Sequence, residues 1–472
     1  MGASSEVLKA AFLAVILAVG AVSGADAKMF SPTSFTLDNG LQVVVVENHR
    51  NAVVTQMVWY RVGSADEPLG KSGIAHFLEH LMFKGTHTVP VGQFSKMIAR
   101  VGGRDNAFTS TDYTAYYQSI AADQLDLAMK LESDRMRNLV LDERNVETER
   151  AVVMEERRSR TDNNPSALLS ESMEAALFLN HPYHRPIIGW AHEIADLNRQ
   201  DALDFYARWY SPNNAILVVA GDVQPEHVRE LAEKWFGPIP KGDVPTRTRL
   251  TEPTQHAERV ITLKDPRVEQ PRLTKLYLAP SAHYGNEVLG AAESSAALEV
   301  LAEVLGGGTS SRLHEDLVLK HKSATAAAAW YDPTAWDYSS FGLSIIPRSG
   351  VTLDVVGRQL DEQIARLLDK GVSEGELQKA KDRLTLGTVY QRDSVQTGAR
   401  ILGSALTTGL SIDDVENWPE TIQAVTAQQV NDAAHRVLVR ERSVTGLLMP
   451  DHSKGPVDKG PAPSLIPTRE ER

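Results

Sequence analysis

His76-Phe77-Leu78-Glu79-His80 constrains this chain more than any other stretch. At 3.6 residues per turn each residue advances about 100°, so His80 falls about 40° from His76 and Glu79 about 60° to the other side. All three side chains leave one side of a single helix. Two neutral imidazoles one turn apart can hold Zn²⁺, and a carboxylate beside them can take a proton from water at the metal.

With 14 His and 61 acidic residues in 472 positions, roughly 0.05 occurrences of His-x-x-Glu-His are expected by chance. An exposed polar helix face with two incidental histidines is the bland alternative, but the flanks disfavour it. Gly73-Ile74-Ala75 precedes the motif, Phe77 and Leu78 lie inside it, and Leu81-Met82-Phe83 follows. Such a helix is buried nearly all round, and buried His and Glu need partners or a metal. Ser72 is the expected N-cap and Gly85 the expected stop.

A zinc site open to water needs a third protein ligand. Glu143 to Arg160 reads as one long charged helix with Val146, Val152 and Val153 on its apolar side. Glu149 and Glu156 are seven residues apart and share a face. Spacing alone leaves Glu147, Glu149, Glu155 and Glu156 all open, and a salt-bridged surface helix is the bland reading.

The run His76 to Thr86, Asn106-Ala107-Phe108-Thr109-Ser110, Tyr116-Tyr117 and Glu149 to Glu156 together resemble the pitrilysin/insulinase-type (inverzincin) zinc metallopeptidases. The short two-domain members, which include mitochondrial processing peptidase and its bacterial relatives, are the nearest in length. The likeness continues through His181-Pro182-Tyr183, Ile188-Gly189, Asn213-Asn214 and Gly306 to Leu313. It implies that His76, His80 and Glu156 bind one Zn²⁺, that Glu79 is the general base, and that Glu149 supports the site from behind. It implies further that Asn106, Ala107, Phe108 and Thr109 form an edge strand on which an extended peptide docks through its backbone. The implied activity is zinc-dependent endopeptidase action on extended or unfolded peptides.

One departure accompanies the resemblance. Self-sufficient members carry an Arg and a Tyr in the second half that hold the substrate and stabilise the developing oxyanion. Here Val318 and Thr325 occupy those positions. Lys320 and Tyr331 are the nearby alternatives, at the wrong spacing. The chain therefore reads as the zinc-bearing subunit of a heterodimer whose homologous, metal-free partner supplies the Arg/Tyr pair. A non-catalytic scaffold or peptide-binding subunit of the same fold is the opposing reading, and an enzyme dedicated to one peptide is a third. Gly306 to Ser311 is not a phosphate loop, because no Gly-Lys-Ser/Thr follows.

A net charge of −12 and the lack of a basic patch exclude a nucleic-acid binder. Ala10 to Val22 is an apolar run of 13 residues, shorter than the roughly 20 that span a bilayer. With Ala25-Asp26-Ala27 it reads as a signal peptide over residues 1–27, cleaved before Lys28. The expected location is exported, periplasmic or secreted, with no stable membrane insertion; the absence of cysteine suits an oxidising compartment.

The expected fold is α+β, with two homologous domains, each a mostly antiparallel β-sheet covered by α-helices. Residues 28–237 form the zinc-bearing domain, 238–258 a Pro-rich linker, 259–450 the homologous domain without metal, and 451–472 a disordered tail. Asp38-Asn39-Gly40 between apolar runs marks a hairpin. Val53–Arg61 is a strand before the motif helix, and Leu273–Ala279 its counterpart. Glu287–Leu305 stands in place of the motif helix but lacks its ligands, and Val444–Met449 closes the second half.

Overall fold

A computed structural model describes residues 28–391, 394–451 and 453. The expected signal peptide, and all of the expected tail except Asp451 and Ser453, lie outside them. No described helix is long and apolar enough to cross a membrane.

Six strands form the first sheet: β1 Thr33–Thr36, β2 Gln42–Glu47, β3 Val53–Tyr60, β4 Arg104–Thr109, β5 Thr114–Ala121 and β6 Ala215–Gly221, in the order β1-β2-β6-β3-β5-β4. Five form the second: β7 Arg259–Asp265, β8 Arg272–Ala279, β9 Ala324–Tyr331, β10 Ser339–Pro347 and β11 Ser443–Pro450, in the order β7-β11-β8-β10-β9. Each sheet is antiparallel except for one pair, β2 with β6 and β7 with β11. Setting β2, β6, β3, β5, β4 beside β7, β11, β8, β10, β9 gives the same connectivity, so the two halves repeat one topology and β1 is an addition. Gly40, at φ +89°, turns the β1–β2 hairpin as the Asn-Gly signal predicts.

Fifteen described α-helices accompany the sheets. In the first half they are α1 Ile74–Leu81, α2 Gln93–Arg100, α3 Leu125–Arg137, α4 Glu143–Arg157, α5 Pro165–Leu177, α6 Ala191–Asp196, α7 Arg199–Trp209 and α8 Pro225–Trp235. In the second they are α9 Ser295–Gly306, α10 Leu353–Lys370, α11 Glu374–Gln391, α12 Val395–Thr407, α13 Ile412–Glu416, α14 Trp418–Ala424 and α15 Ala427–Val437.

Strand periodicity sets which helix covers which face. Val43, Val45, Val54 and Val58 point to one side of the first sheet and pack with Ile74, Phe77, Leu78 and Leu81 of α1. Val44, Val46, Met57 and Trp59 point to the other side, where Ala399, Leu402 and Leu406 of α12 meet them. Helix α12 thus belongs to the second half by sequence and to the first sheet by packing. The exchange is reciprocal: Leu169, Met173 and Leu177 of α5 pack on Leu276, Leu278, Val444 and Leu448 of the second sheet.

Three local expectations change. Helix α9 starts at Ser295 rather than near Glu287, because Asn286 Oδ1 accepts from the Val288 and Leu289 amides and Gly290 turns at φ +110°; this Asx turn competes with helix. The helix expected to reach Arg160 leaves α geometry after Arg157 and continues as a π-helix over Arg158–Asp162. Strand β5 is an element the sequence reading omits; it pairs along β3 and β4.

The Pro-rich stretch after α8 carries no regular structure up to β7, yet it is tied down. Arg249 Nη2 lies 3.0 Å from Asp66 Oδ1 and 3.1 Å from Asp112 Oδ1, and Arg247 Nη2 lies 3.3 Å from Asp66 Oδ2. Tyr183 donates to Asp112 Oδ2 at 2.6 Å, and the Trp336 amide donates to the same oxygen at 3.1 Å. His181 Nε2 and Asp337 Oδ2 are 3.1 Å apart beside this cluster. The cluster is buried and joins residues from both halves.

Candidate metal centre

Helix α1 starts without help from Ser72. Gly73, at φ +88°, is the N-cap, and a Cβ there would fall 2.5 Å from the Ile188 carbonyl oxygen. The cap is Glu67: its carboxylate accepts from the Gly73 and Ala75 amides at 3.0 Å each. Ser72 instead uses its hydroxyl oxygen to accept from the Trp190 amide and its own amide to donate to Glu193. Both interactions join distant segments. Gly85 has φ +98° where the chain turns after α1.

From this helix His76 and His80 face α4. His80 Nε2 lies 3.2 Å and His76 Nε2 3.8 Å from Glu156 Oε2. The three donor atoms lie within 4.8 Å of one another, and no other group of His and acidic residues that could hold a metal occurs among the described residues. Of the four acidic residues left open by spacing, Glu156 faces both histidines and Glu149 faces one. Glu147 is exposed, and Glu155 pairs with Arg158 on the surface.

Glu149 Oε2 accepts from His80 Nδ1 at 3.1 Å, and Lys84 pairs with the other Glu149 oxygen. With its Nδ1 proton held there, the neutral His80 ring has Nε2 as its metal-binding atom, on the side of Glu156. Glu79 lies on the same side of α1. It is linked to β4 by Thr109, whose hydroxyl donates to Glu79 Oε2 at 2.5 Å.

Burial dominates the electrostatics. It pushes His76 down to about 3, helped by the nearby His80 and Arg160 charges, so His76 is the neutral, ligand form. Burial pushes the Glu79 carboxyl up, against the Thr109 hydrogen bond. At His80 burial acts downward, but Glu149, Glu156 and Glu79 outweigh it and the net shift is upward. At Glu149 burial acts upward, and the bonds to His80 and Lys84 outweigh it to hold the carboxyl low. Two imidazole nitrogens and one carboxylate oxygen are a donor set that suits zinc with one position open. Their separations bracket the roughly 3.4 Å expected between tetrahedral ligands with bonds of 2.0–2.1 Å. The residues present therefore fit a zinc ion.

A cleft of about 510 Å³ opens over these groups, lined by His76, Glu79, His80, Glu156, residues 106–109 of β4, Arg160, Thr161, Ile187 and Ile188. All belong to the first half. Strand β4 is the sheet edge here, as its resemblance implies, and its residues Asn106, Ala107 and Thr109 border the cleft. Phe108 turns its ring away, against Trp59, Tyr113 and the Arg400 guanidinium of α12. The second-half positions do not reach this space. Val318 packs against the second core, and Thr325 donates to the Ile346 carbonyl. Tyr331 donates to the Pro280 carbonyl at 2.7 Å, and Lys320 pairs with Asp316. Arg160 and Lys84 are parts of the site that sequence reading passes over. The i, i+4 spacing of Arg160 from Glu156 is the one signal that marks it.

Fold and site together define a metallopeptidase-type chain, and the comparisons agree: this protein belongs to peptidase family M16, the insulinase family. Residues 42–190 match the family's model, described as Insulinase (Peptidase family M16), and residues 196–384 match that of the Peptidase M16 inactive domain. The zinc protease PqqE of Helicobacter pylori is 35% identical over 79% of this chain and 82% of its own length. The crystal structure of a protease from Helicobacter pylori superposes with a TM-score of 0.82 at 30% identity, covering 89% of this chain and all of that one. The periplasmic protease PqqL of Escherichia coli shares the fold at a TM-score of 0.74 and 22% identity; 89% of this chain is covered, but only 48% of that chain.

Proposed function

We propose that this protein is a zinc-dependent endopeptidase acting on extended or unfolded peptides. The observation that carries this reading is the convergence of His76, His80 and Glu156 within 4.8 Å beside the half-buried carboxylate of Glu79. A zinc ion held by the three ligands supplies Lewis acidity toward the peptide carbonyl and toward water. An extended substrate adds to the free edge of β4, and its backbone hydrogen bonds set which carbonyl lies over the ligands. Glu79 takes one proton from the attacking water as the new C–O bond forms. It then returns that proton to the departing amine as the C–N bond breaks. Thr109 fixes the Glu79 carboxylate relative to the docked strand, and Glu149 fixes the tautomer of His80.

The heterodimer reading has a specific support. Every residue lining the cleft comes from the first half, and Val318, Thr325, Lys320 and Tyr331 are all engaged elsewhere. A homologous metal-free subunit carrying an Arg/Tyr pair would bring the missing donors. Export with cleavage before Lys28 completes the proposal. The chain is anchored from there on, with the Phe30 and Ser31 amides donating to Glu416 at 2.8 and 3.0 Å.

The test is hydrolysis of a quenched fluorescent peptide by the purified chain, alone and with the candidate partner, alongside Glu79→Gln. Turnover should be slow alone, rise on mixing, and fall by about 10²-fold or more in Glu79→Gln. Undiminished turnover in Glu79→Gln sinks the peptidase reading, whereas full activity without partner sinks only the heterodimer. Intact mass of the exported protein should correspond to a chain starting at Lys28.

A further inference from the structure

We infer that Arg160 is the cation this chain itself contributes to peptide hydrolysis, by drawing the carbonyl oxygen of the scissile bond as that oxygen gains negative charge. The inference deepens the peptidase reading above and rests on it.

Water addition turns a neutral carbonyl oxygen into an anionic one, and a donor aimed at the position of that charge lowers the barrier. Among the described residues that line the cleft there is one cation, Arg160. The other donors there are neutral or engaged: the Thr109 hydroxyl is committed to Glu79, and Asn106 holds the Ala107 amide with its Oδ1.

Local backbone geometry places the guanidinium. Glu156 is in the last turn of α4, and the wider π turn over Arg158–Asp162 follows at once. Such insertions recur at functional sites, because they redirect side chains that a regular helix would stack along its axis. Arg160 comes back over Glu156, with Nη1 2.5 Å from Oε1, while Oε2 of the same carboxylate faces the two histidines. The carboxylate is divided, one oxygen to the ligand cluster and one to the arginine.

The arginine is not used up by this contact. Its side chain is 75% exposed while that of Glu156 is 14% exposed. A guanidinium carries five N–H donors in a fixed fork, and no other partner of Arg160 is found among the described residues. Arg160 lines the same cleft as Glu79, His76 and His80. A partner subunit would add to this contribution rather than create it, so the chain alone should turn over slowly and do so through Arg160.

The experiment compares wild type, Arg160→Gln and Arg160→Lys as isolated, zinc-loaded full chains on a quenched fluorescent peptide. Zinc content and zinc dissociation constant are measured in parallel. Arg160→Gln should lower kcat by about 10²- to 10³-fold with KM changed less than about threefold, the pattern of an interaction made only in the transition state. Arg160→Lys should recover part of the loss. A second readout is binding: a phosphinic peptide, which mimics the anionic tetrahedral state, should bind Arg160→Gln more weakly by about the same factor as kcat. The parent peptide should bind Glu79→Gln and Glu79→Gln/Arg160→Gln alike. Loss of zinc from Arg160→Gln overturns the inference, because the arginine would then only position Glu156. Unchanged kcat and phosphinic-peptide binding in Arg160→Gln also overturn it, as does a wild-type chain with no turnover on its own. Undiminished activity in Glu79→Gln removes the peptidase reading itself and is thereby told apart from failure of the arginine alone.

Discussion

The Thr109 hydroxyl donates to Glu79 Oε2 at 2.5 Å, which binds the sheet edge to the acidic residue of the motif helix. Strand β4 and helix α1 are thus coupled through one hydrogen bond, and whatever aligns on the strand is aligned to the carboxylate. Hydrogen bonds to charged groups contribute about 1.5–3 kcal/mol. Thr109→Val should therefore lower kcat roughly 10- to 100-fold, whereas Thr109→Ser stays within a few-fold. Steady-state kinetics on both variants, with zinc content held equal, checks this.

Substitutions at the acidic residues around the metal centre should separate by role. Glu156→Gln should leave most of the protein without zinc after dialysis. Glu149→Gln should weaken zinc binding by about 10- to 100-fold, as expected for a residue that orients a ligand. Glu79→Gln should keep its zinc and lose about 10²- to 10⁴-fold in turnover. Metal analysis with competitive chelation reads all three; full zinc in Glu156→Gln would move the ligand assignment to Glu149.

Acid should loosen the second half through Glu376. Burial opposes ionisation there, but the Arg312 guanidinium and the Ser373 amide and hydroxyl outweigh it and hold the carboxyl at about 2, below its ordinary 4.5. A carboxyl lowered in the folded state contributes stability above pH 4.5 and loses it as pH falls toward 2. The side chain is 33% exposed, so solvent screening limits the loss to about 1 kcal/mol. Glu376→Gln should flatten this part of the stability–pH curve, measured by urea melts between pH 5 and 2.5.

The buried Asp112 cluster predicts a larger effect at neutral pH. Asp112 accepts from Tyr183, the Trp336 amide and Arg249. Asp112→Ala removes one of the two carboxylates on Arg249, which keeps Asp66, and leaves the Tyr183 hydroxyl and the Trp336 amide without their acceptor; unsatisfied buried donors of this kind cost about 1–3 kcal/mol each. A lower denaturation midpoint at unchanged slope, together with faster proteolysis in the 238–258 stretch, is the expected outcome. Wild-type stability in that variant would remove the cluster as a tie between the halves.

Much of the site was legible because it is written locally. The two histidines and Glu79 share one helical turn, and the heptad from Glu149 to Glu156 keeps both on one face of α4. The repeat of topology also showed in the order of elements, from Leu273–Ala279 to the closing strand. What stayed hidden depends on partners far along the chain. Ser72 is a good capping residue, but Glu67 takes the helix end and Ser72 is drawn off to Trp190 and Glu193. Arg247 and Arg249 sit in a stretch with the composition of a linker, and only their meeting with Asp66 and Asp112 buries them. An amphipathic pattern says that α5 and α12 have an apolar side; it does not say which sheet that side will cover.

That last point bears on descent. Each half sends one helix, α5 or α12, onto the sheet of the other, so the molecule is the single-chain equivalent of a pair of units that trade helices. A lone ancestral unit with this topology would have exposed a sheet face as apolar as Val44, Met57, Ile216 and Val218 make it here. Two copies embracing each other would have hidden both faces at once. In the present chain α12 of the second half closes that face, so one chain keeps two matched sheets and, among the described residues, one candidate metal centre.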